Sequence, residues 1–205
     1  LRGLMESVRE VRRSELLTGS LLISAAFNLW AFPYFALGPV VGREVLGLGP
    51  SGIGVLMGME PLGALLGSVL IAARLRPSLF APLYGTSPIL FVLGTTLFAV
   101  TASGPVAHAA LFAAGFGMAA FAVMQMILPM YAAPPGMRVR IVGLMAMTIG
   151  VAPLGLAHAG LLAEWLGAQN ALLVLAAEGT LATLVVLARY PALLTTRLRP
   201  RSDGH

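Results

Sequence analysis

An all-α membrane protein with six spanning helices is the fold this sequence predicts, on three observations. Of the 205 residues, 58% are hydrophobic and 10% are charged, whereas soluble domains carry about 25% charged residues. The apolar residues fall into six stretches of about 20–26, the length that crosses a hydrocarbon core of roughly 30 Å as a helix. All 13 basic residues are arginine, and with the N-terminal segment inside, every one except Arg43 lies in an inner segment. That bias orients helices in a bilayer and puts both termini in the cytoplasm. Helices this apolar could also fill a large soluble core, but too little polar chain remains to cover one.

In chain order, residues 1–15 are a charged cytoplasmic lead-in without an apolar signal region, residues 16–189 hold the spans, and residues 190–205 are a basic cytoplasmic tail. The chain starts at Leu1 rather than methionine, and the lead-in reads as a loop, so a longer protein is expected. The predicted spans are Leu16–Leu37, Ser51–Ala73, Leu79–Val100, Pro105–Met130, Arg138–Leu162 and Asn170–Arg189. Gly38–Pro50 is expected to be an outer Gly/Pro loop, Arg74–Pro77 a tight basic turn and Ala163–Gln169 a short loop. Pro82 and Pro88 are expected to delay or kink the third helix.

The second span carries the sharpest feature. Glu60 lies near its middle, and Ile53, Leu56, Met57, Gly63, Ala64 and Gly67 share its helical face. A neighbouring helix can approach such a small-residue stripe closely. Acids at membrane depth are rare and normally face a bundle interior or a wet cavity. Glu60 is therefore read as a proton-coupling or cation-binding group, against the plainer reading of a structural hydrogen-bonding acid.

The other polar candidates are Asn28 in the first span, Gln125 late in the fourth, and Glu178 near the centre of the sixth. Each could line a path or simply bond a partner helix. His158 stands alone in sequence and reads as a packed or hydrogen-bonded residue, and no His, Asp or Glu spacing suits a metal, so no metal or cofactor is expected. In the fifth span Ala146, Gly150, Pro153, Ala157 and Gly160 form a small-residue face, read equally as a bending helix or as close packing. Pro61 with Gly63 and Gly67, and Gly150 with Pro153, are the corresponding gating or packing positions of spans two and five. Methionines 118, 124, 126, 130, 145 and 147 read as core filler more than as an adaptable binding surface.

Three classes of function remain after composition. Six spans with intramembrane acids suit a transporter. A membrane assembly partner or a truncated fragment would share the same composition. Ala102-Ser103-Gly104 with His158 at similar depth resembles the dyad of rhomboid-type intramembrane proteases, but Thr101 and Pro105 depart from that pattern and the histidine is one span early. No lysine exists for a phosphate-binding loop, and the scattered arginines do not form a nucleic-acid face.

Arg138–Leu144, Gly150–Gly155, Gly160–Gly167 and Ala171-Leu172, with the basic lead-in, Asn28 and Gly52–Gly67, resemble the C-terminal six-helix half of the major facilitator superfamily (MFS). The flavour is that of the bacterial enterochelin and macrolide exporters. The resemblance implies half of a twelve-helix secondary transporter in the bacterial cytoplasmic (inner) membrane. Such a protein is not an enzyme. It works by alternating access and is usually coupled to protons, as an efflux antiporter. Its partners would be the bilayer, a small-molecule substrate, and an N-terminal half in the same longer chain or a second copy. In the family the first, second, fourth and fifth helices of each half line the cavity, which favours Asn28, Glu60, Gln125 and Thr148 over Glu178. The turn Ala73-Arg74-Leu75-Arg76-Pro77 keeps the charge of the family's gating turn but lacks its aspartate and glycines. Arg74 and Arg76, like Arg138 and Arg140 at the entry to the fifth span, are the candidate gating arginines.

Overall fold

A computed structural model describes residues 11–134 and 136–198. Arg2 and Arg9 of the lead-in and Arg199 and Arg201 of the tail lie outside the described residues. The architecture is all-helical, with no strand among the described residues. Six helical spans, each long and apolar enough to cross a membrane, follow one another through short turns: Glu15–Glu44, Pro50–Arg74, Pro77–Val100, Gly104–Ala132, Arg138–Leu166 and Ala168–Arg189.

The first span is built in three pieces. Helix α1 (Glu15–Ala26) starts at Ser14, whose side chain accepts from the Leu17 N–H at 3.3 Å, satisfying one of the free donors of a helix start. It passes into a π-helical segment, Phe27–Ala31, closed by the Phe32 N–H donating to the Phe27 carbonyl at 2.9 Å. Helix α2 (Tyr34–Glu44) follows Pro33. Pro33 has no N–H and pushes against the carbonyl four residues back, so the ladder is widened ahead of it.

Residues 38–44 were expected in a loop but are helical, so the outer connection shrinks to residues 45–49, turning at Gly47 with φ 64°. The reason is tertiary: Gly38 packs on Met57 and Gly42 on Leu56 of the next helix, and this packing overrides the weak helix propensity of glycine and Pro39. Likewise the expected loop 163–169 reduces to Gly167 alone, whose φ of 80° suits glycine.

Helix α3 (Pro50–Arg74) lies along α5 (Gly104–Ala132). The small-residue stripe makes this contact. A Cβ on Gly63 would strike the Phe112 carbonyl, one on Gly67 would meet Ala119 at 2.9 Å, and one on Gly115 would strike the Glu60 carbonyl. The opposite face of α3, with Val55, Leu62, Leu66, Val69 and Leu70, is exposed. Helix α4 (Phe80–Val100) enters through a short turn at Pro77–Leu79, so Pro82 falls in its first turn, where its missing N–H leaves nothing unpaired. Pro88 is mid-helix, and the carbonyl it leaves free, that of Tyr84, accepts from Ser87 Oγ at 2.9 Å. Gly94 and Gly117 bring α4 and α5 together.

The fifth span is broken. Helix α6 (Arg138–Ile149) ends at Gly150, and α7 (Ala152–Leu166) begins with Pro153 in its first turn. Of the two readings of Ala146, Gly150, Pro153, Ala157 and Gly160, a bending helix or a closely packed face, the packing is not found among the described residues. All five are exposed, and a Cβ on Gly160 would meet nothing within 4 Å. The opposite side of α7 packs instead: a Cβ on Gly155 would strike the Leu29 carbonyl, the one Pro33 frees in the π segment. Spans two and five are the least buried of the six.

Helix α8 (Ala168–Arg189) runs back beside α7 and α4. A short α9 (Ala192–Thr195) folds against the bundle, with Leu193 fully buried against Gly19 and Gly85. The core is aromatic where spans one, three and four meet: Phe27 stacks on Phe121 at 3.8 Å between centroids, and Tyr34 meets Phe91 and Phe98 edge-on. Of the six methionines expected as filler, Met124 and Met145 are buried, while Met126, Met130 and Met147 are exposed. The last three carry apolar surface outward.

Candidate functional site

The sequence candidates divide among three polar places in the spans, two of them buried and one half-exposed. The first centres on Ser24. Ser20, Ser24 and Asn28 recur every four residues along the first span, so they share one face, and all three are buried. Gln125 Nε2 of α5 donates to Ser24 Oγ at 2.6 Å, and Thr148 Oγ1 of α6 lies 2.7 Å from the same oxygen. Thr148 Oγ1 is also 2.7 Å from the Met145 carbonyl, which only accepts. A hydroxyl has one proton, so Thr148 gives its proton to Met145 and Ser24 donates to Thr148. The result is a directed chain from Gln125 through Ser24 and Thr148 to the Met145 carbonyl. Asn28 Nδ2 donates to the Ser24 carbonyl at 2.8 Å, and the Tyr84 hydroxyl of α4 donates to the Ser20 carbonyl at 3.1 Å. Four spans are tied at one level.

Asn28, Gln125 and Thr148 are thus brought together, through a residue that sequence reasoning passed over. The signal for Ser24 was present as the i, i+4, i+8 spacing with Ser20 and Asn28. Serine in such helices commonly bonds its own backbone, which hides it among ordinary positions. Both backbone irregularities flank this cluster. Asn28 lies within the π segment, and Thr148 lies in the last turn before the break at Gly150 and Pro153.

Glu60 stands apart. Its backbone packs at Gly115, ten residues before Gln125 on α5, which is about 15 Å along the axis. The residue is 3% exposed, and among the described residues its carboxylate has no hydrogen bond or ion pair. Tyr34, whose hydroxyl lies 3.8 Å from Met57 Sδ, is its polar neighbour. Pro61, beside it, is exposed on the outer face of α3.

The third grouping gives His158, which has no partner near it in sequence, a hydrogen-bonding partner on the next helix. His158 Nε2 is 2.8 Å from Glu178 Oε2, with both side chains 38% exposed. The two flank the Gly167 turn at nearly equal distances in sequence, so the α7–α8 hairpin places them side by side. Symmetry about a tight turn was the available signal, and a search for clusters in sequence misses it. Ser103 sits exposed at the start of α5, and among the described residues no hydrogen bond joins it to His158.

Arg74, the last residue of α3, and Arg76 in the turn after it are exposed and form no ion pair among the described residues. Arg138 begins α6 beside Tyr131 and Met130, and Arg140 lies one residue past Val139 on the same turn. Among the described residues, no three metal-ligating side chains converge.

No family model matches the chain, and no curated protein or solved structure matches it either.

Proposed function

We propose that this chain is the C-terminal six-helix half of a facilitator-type secondary transporter of the bacterial inner membrane. In this reading the complete protein is not an enzyme and exports a small amphipathic compound by proton-coupled alternating access. The observation that carries the reading is Glu60, a buried carboxylate without a partner among the described residues, in a span otherwise largely open. An isolated acid in an apolar bundle is costly to keep ionised. Its retention makes sense where it gains and loses a proton as access changes.

Two further features support a half rather than a finished unit. Gly54 and Gly58 on α3, and Gly143 and Gly160 on the fifth span, have open space where a Cβ would stand. Stripes of that kind suit the close approach of further helices, here those of an N-terminal half. The break at Gly150 and Pro153 and the π segment at Asn28 are places where the two ends of a span can tilt independently. They meet at the Ser24 cluster, which serves in this reading as the pivot and the polar lining of the path.

The test uses the complete coding region. Inverted vesicles are energised, and the release of the proton gradient by a panel of amphipathic compounds is followed with a pH-sensitive dye. Glu60→Gln should abolish substrate-driven proton movement at unchanged expression. Unaltered coupling in that variant would remove Glu60 from the mechanism.

A further inference from the structure

The His158–Glu178 pair opens onto a cleft of about 560 Å³ walled by Leu29, Trp30, Leu181, Ala182 and Val185. That volume lies within the roughly 300–1,000 Å³ that holds drug-sized ligands. We propose that this cleft is a binding site for a lipophilic monovalent cation, held by Glu178 in competition with the proton of His158.

The argument starts from depth. Counted from Gly167, His158 and Glu178 lie about 14 and 17 Å along their helices, well inside the apolar spans. Ionisable groups at such depth normally turn inward, yet these are 38% exposed on the side facing the cleft. Beyond the His158 imidazole, hydrocarbon tails offer the carboxylate no counter-charge. A ligand with an apolar body and one positive charge offers both what the walls and what the acid require. Trp30 adds an aromatic face, to which cations are attracted, and its position is fixed where its Cβ packs against Gly179 at 2.9 Å from an added Cβ.

The exchange balances in charge. With His158 protonated, imidazolium and carboxylate neutralise each other. When a cation takes the Oε2 position, the imidazolium loses its N–H proton to water, and one positive charge replaces another. Other titratable groups on the elements packed around the pair are Glu164 on α7, Arg189 on α8, Tyr34, Arg43 and Glu44 on α2, Glu15 on α1 and Tyr84 on α4. None of them lines the cleft. The pair therefore sets the charge there by itself. This site differs from Glu60 and does not depend on transport.

Trp30 and Trp165 are the two tryptophans of the chain, which makes the test site-specific. The chain carrying Trp165→Phe is reconstituted in nanodiscs, and Trp30 fluorescence is titrated with tetraphenylphosphonium. Saturable quenching is expected, with affinity falling up to tenfold per pH unit as the solution is acidified. Glu178→Gln should weaken binding at least tenfold. His158→Gln should change the pH dependence of the affinity, a result that a purely structural pair would not produce. Triphenylphosphine oxide, neutral and of similar shape, should bind without either dependence. Non-saturable quenching, or saturable binding unchanged in Glu178→Gln, overturns the proposal. Glu60→Gln is expected to leave this titration unaltered, so failure of the cleft and failure of the coupling residue are distinguishable.

Discussion

Ser24→Ala is the most informative single perturbation, because one hydroxyl joins three spans. The change removes the acceptor of Gln125 Nε2 and the donor to Thr148 Oγ1. Thr148 keeps the Met145 carbonyl, so only the Gln125 amide is orphaned, at a residue 7% exposed. Leaving a buried donor unsatisfied costs about 1–3 kcal/mol. Interhelical hydrogen bonds within membranes average about 0.6 kcal/mol and reach about 1.7. The expected loss is therefore about 1–2 kcal/mol, toward the lower end of the first range. Gln125→Leu removes the amide altogether, while Ser24 still donates to Thr148, so it should be milder. In the double variant nothing remains to be orphaned, and the two losses should fall short of their sum by about 0.6–1.7 kcal/mol. Unfolding by SDS in mixed micelles, followed by far-UV circular dichroism, measures all three. Additivity within about 0.3 kcal/mol would falsify the directed chain.

Three further outcomes follow from the backbone geometry. Gly115→Ala places a methyl against the Glu60 carbonyl and the Ala64 nitrogen. Because backbone cannot yield as a side chain does, the same unfolding assay should show a loss of at least about 1–3 kcal/mol. Gly58→Ala meets nothing within 4 Å and should leave the isolated chain unchanged or up to about 1 kcal/mol more stable. If the open stripe is a docking face, that same variant should weaken association with the N-terminal half in a co-purification assay. Pro153→Ala returns an N–H to the Ile149 carbonyl, so spin labels on α6 and α7 should report a straighter fifth span by electron paramagnetic resonance, with an unchanged distance counting against proline as the cause of the break.

Much of the framework was legible in the sequence. Six apolar runs became six helices long and apolar enough to cross a membrane, each satisfying its own backbone within one segment, as a chain in an apolar solvent must. The face of α3 bearing Leu56, Glu60, Gly63 and Gly67 is the buried one, since glycines spaced by four make a groove only a helix backbone can fill. The same logic failed on the fifth span, where an equally regular small-residue face remains open and Gly155 on the other side is buried. Periodicity marks a face where close approach is possible, and the partner decides whether it happens. Asn28 and Gln125 were visible as polar residues in apolar runs, but nothing local in the sequence linked them.

By itself, then, the sequence determined the number and order of the spans, the expected orientation from its arginines, and which polar residues are anomalous in apolar runs. Tertiary structure alone decided that Ser24 joins Asn28, Gln125 and Thr148, that Glu60 stands about 15 Å away from them, and that His158 has Glu178 as its partner. The physical reason is the solvent. A helix that is apolar on every side has no wet face to reveal its orientation, so its neighbours are selected by backbone fit and by the few hydrogen bonds available, both of them properties of residues far apart in the chain.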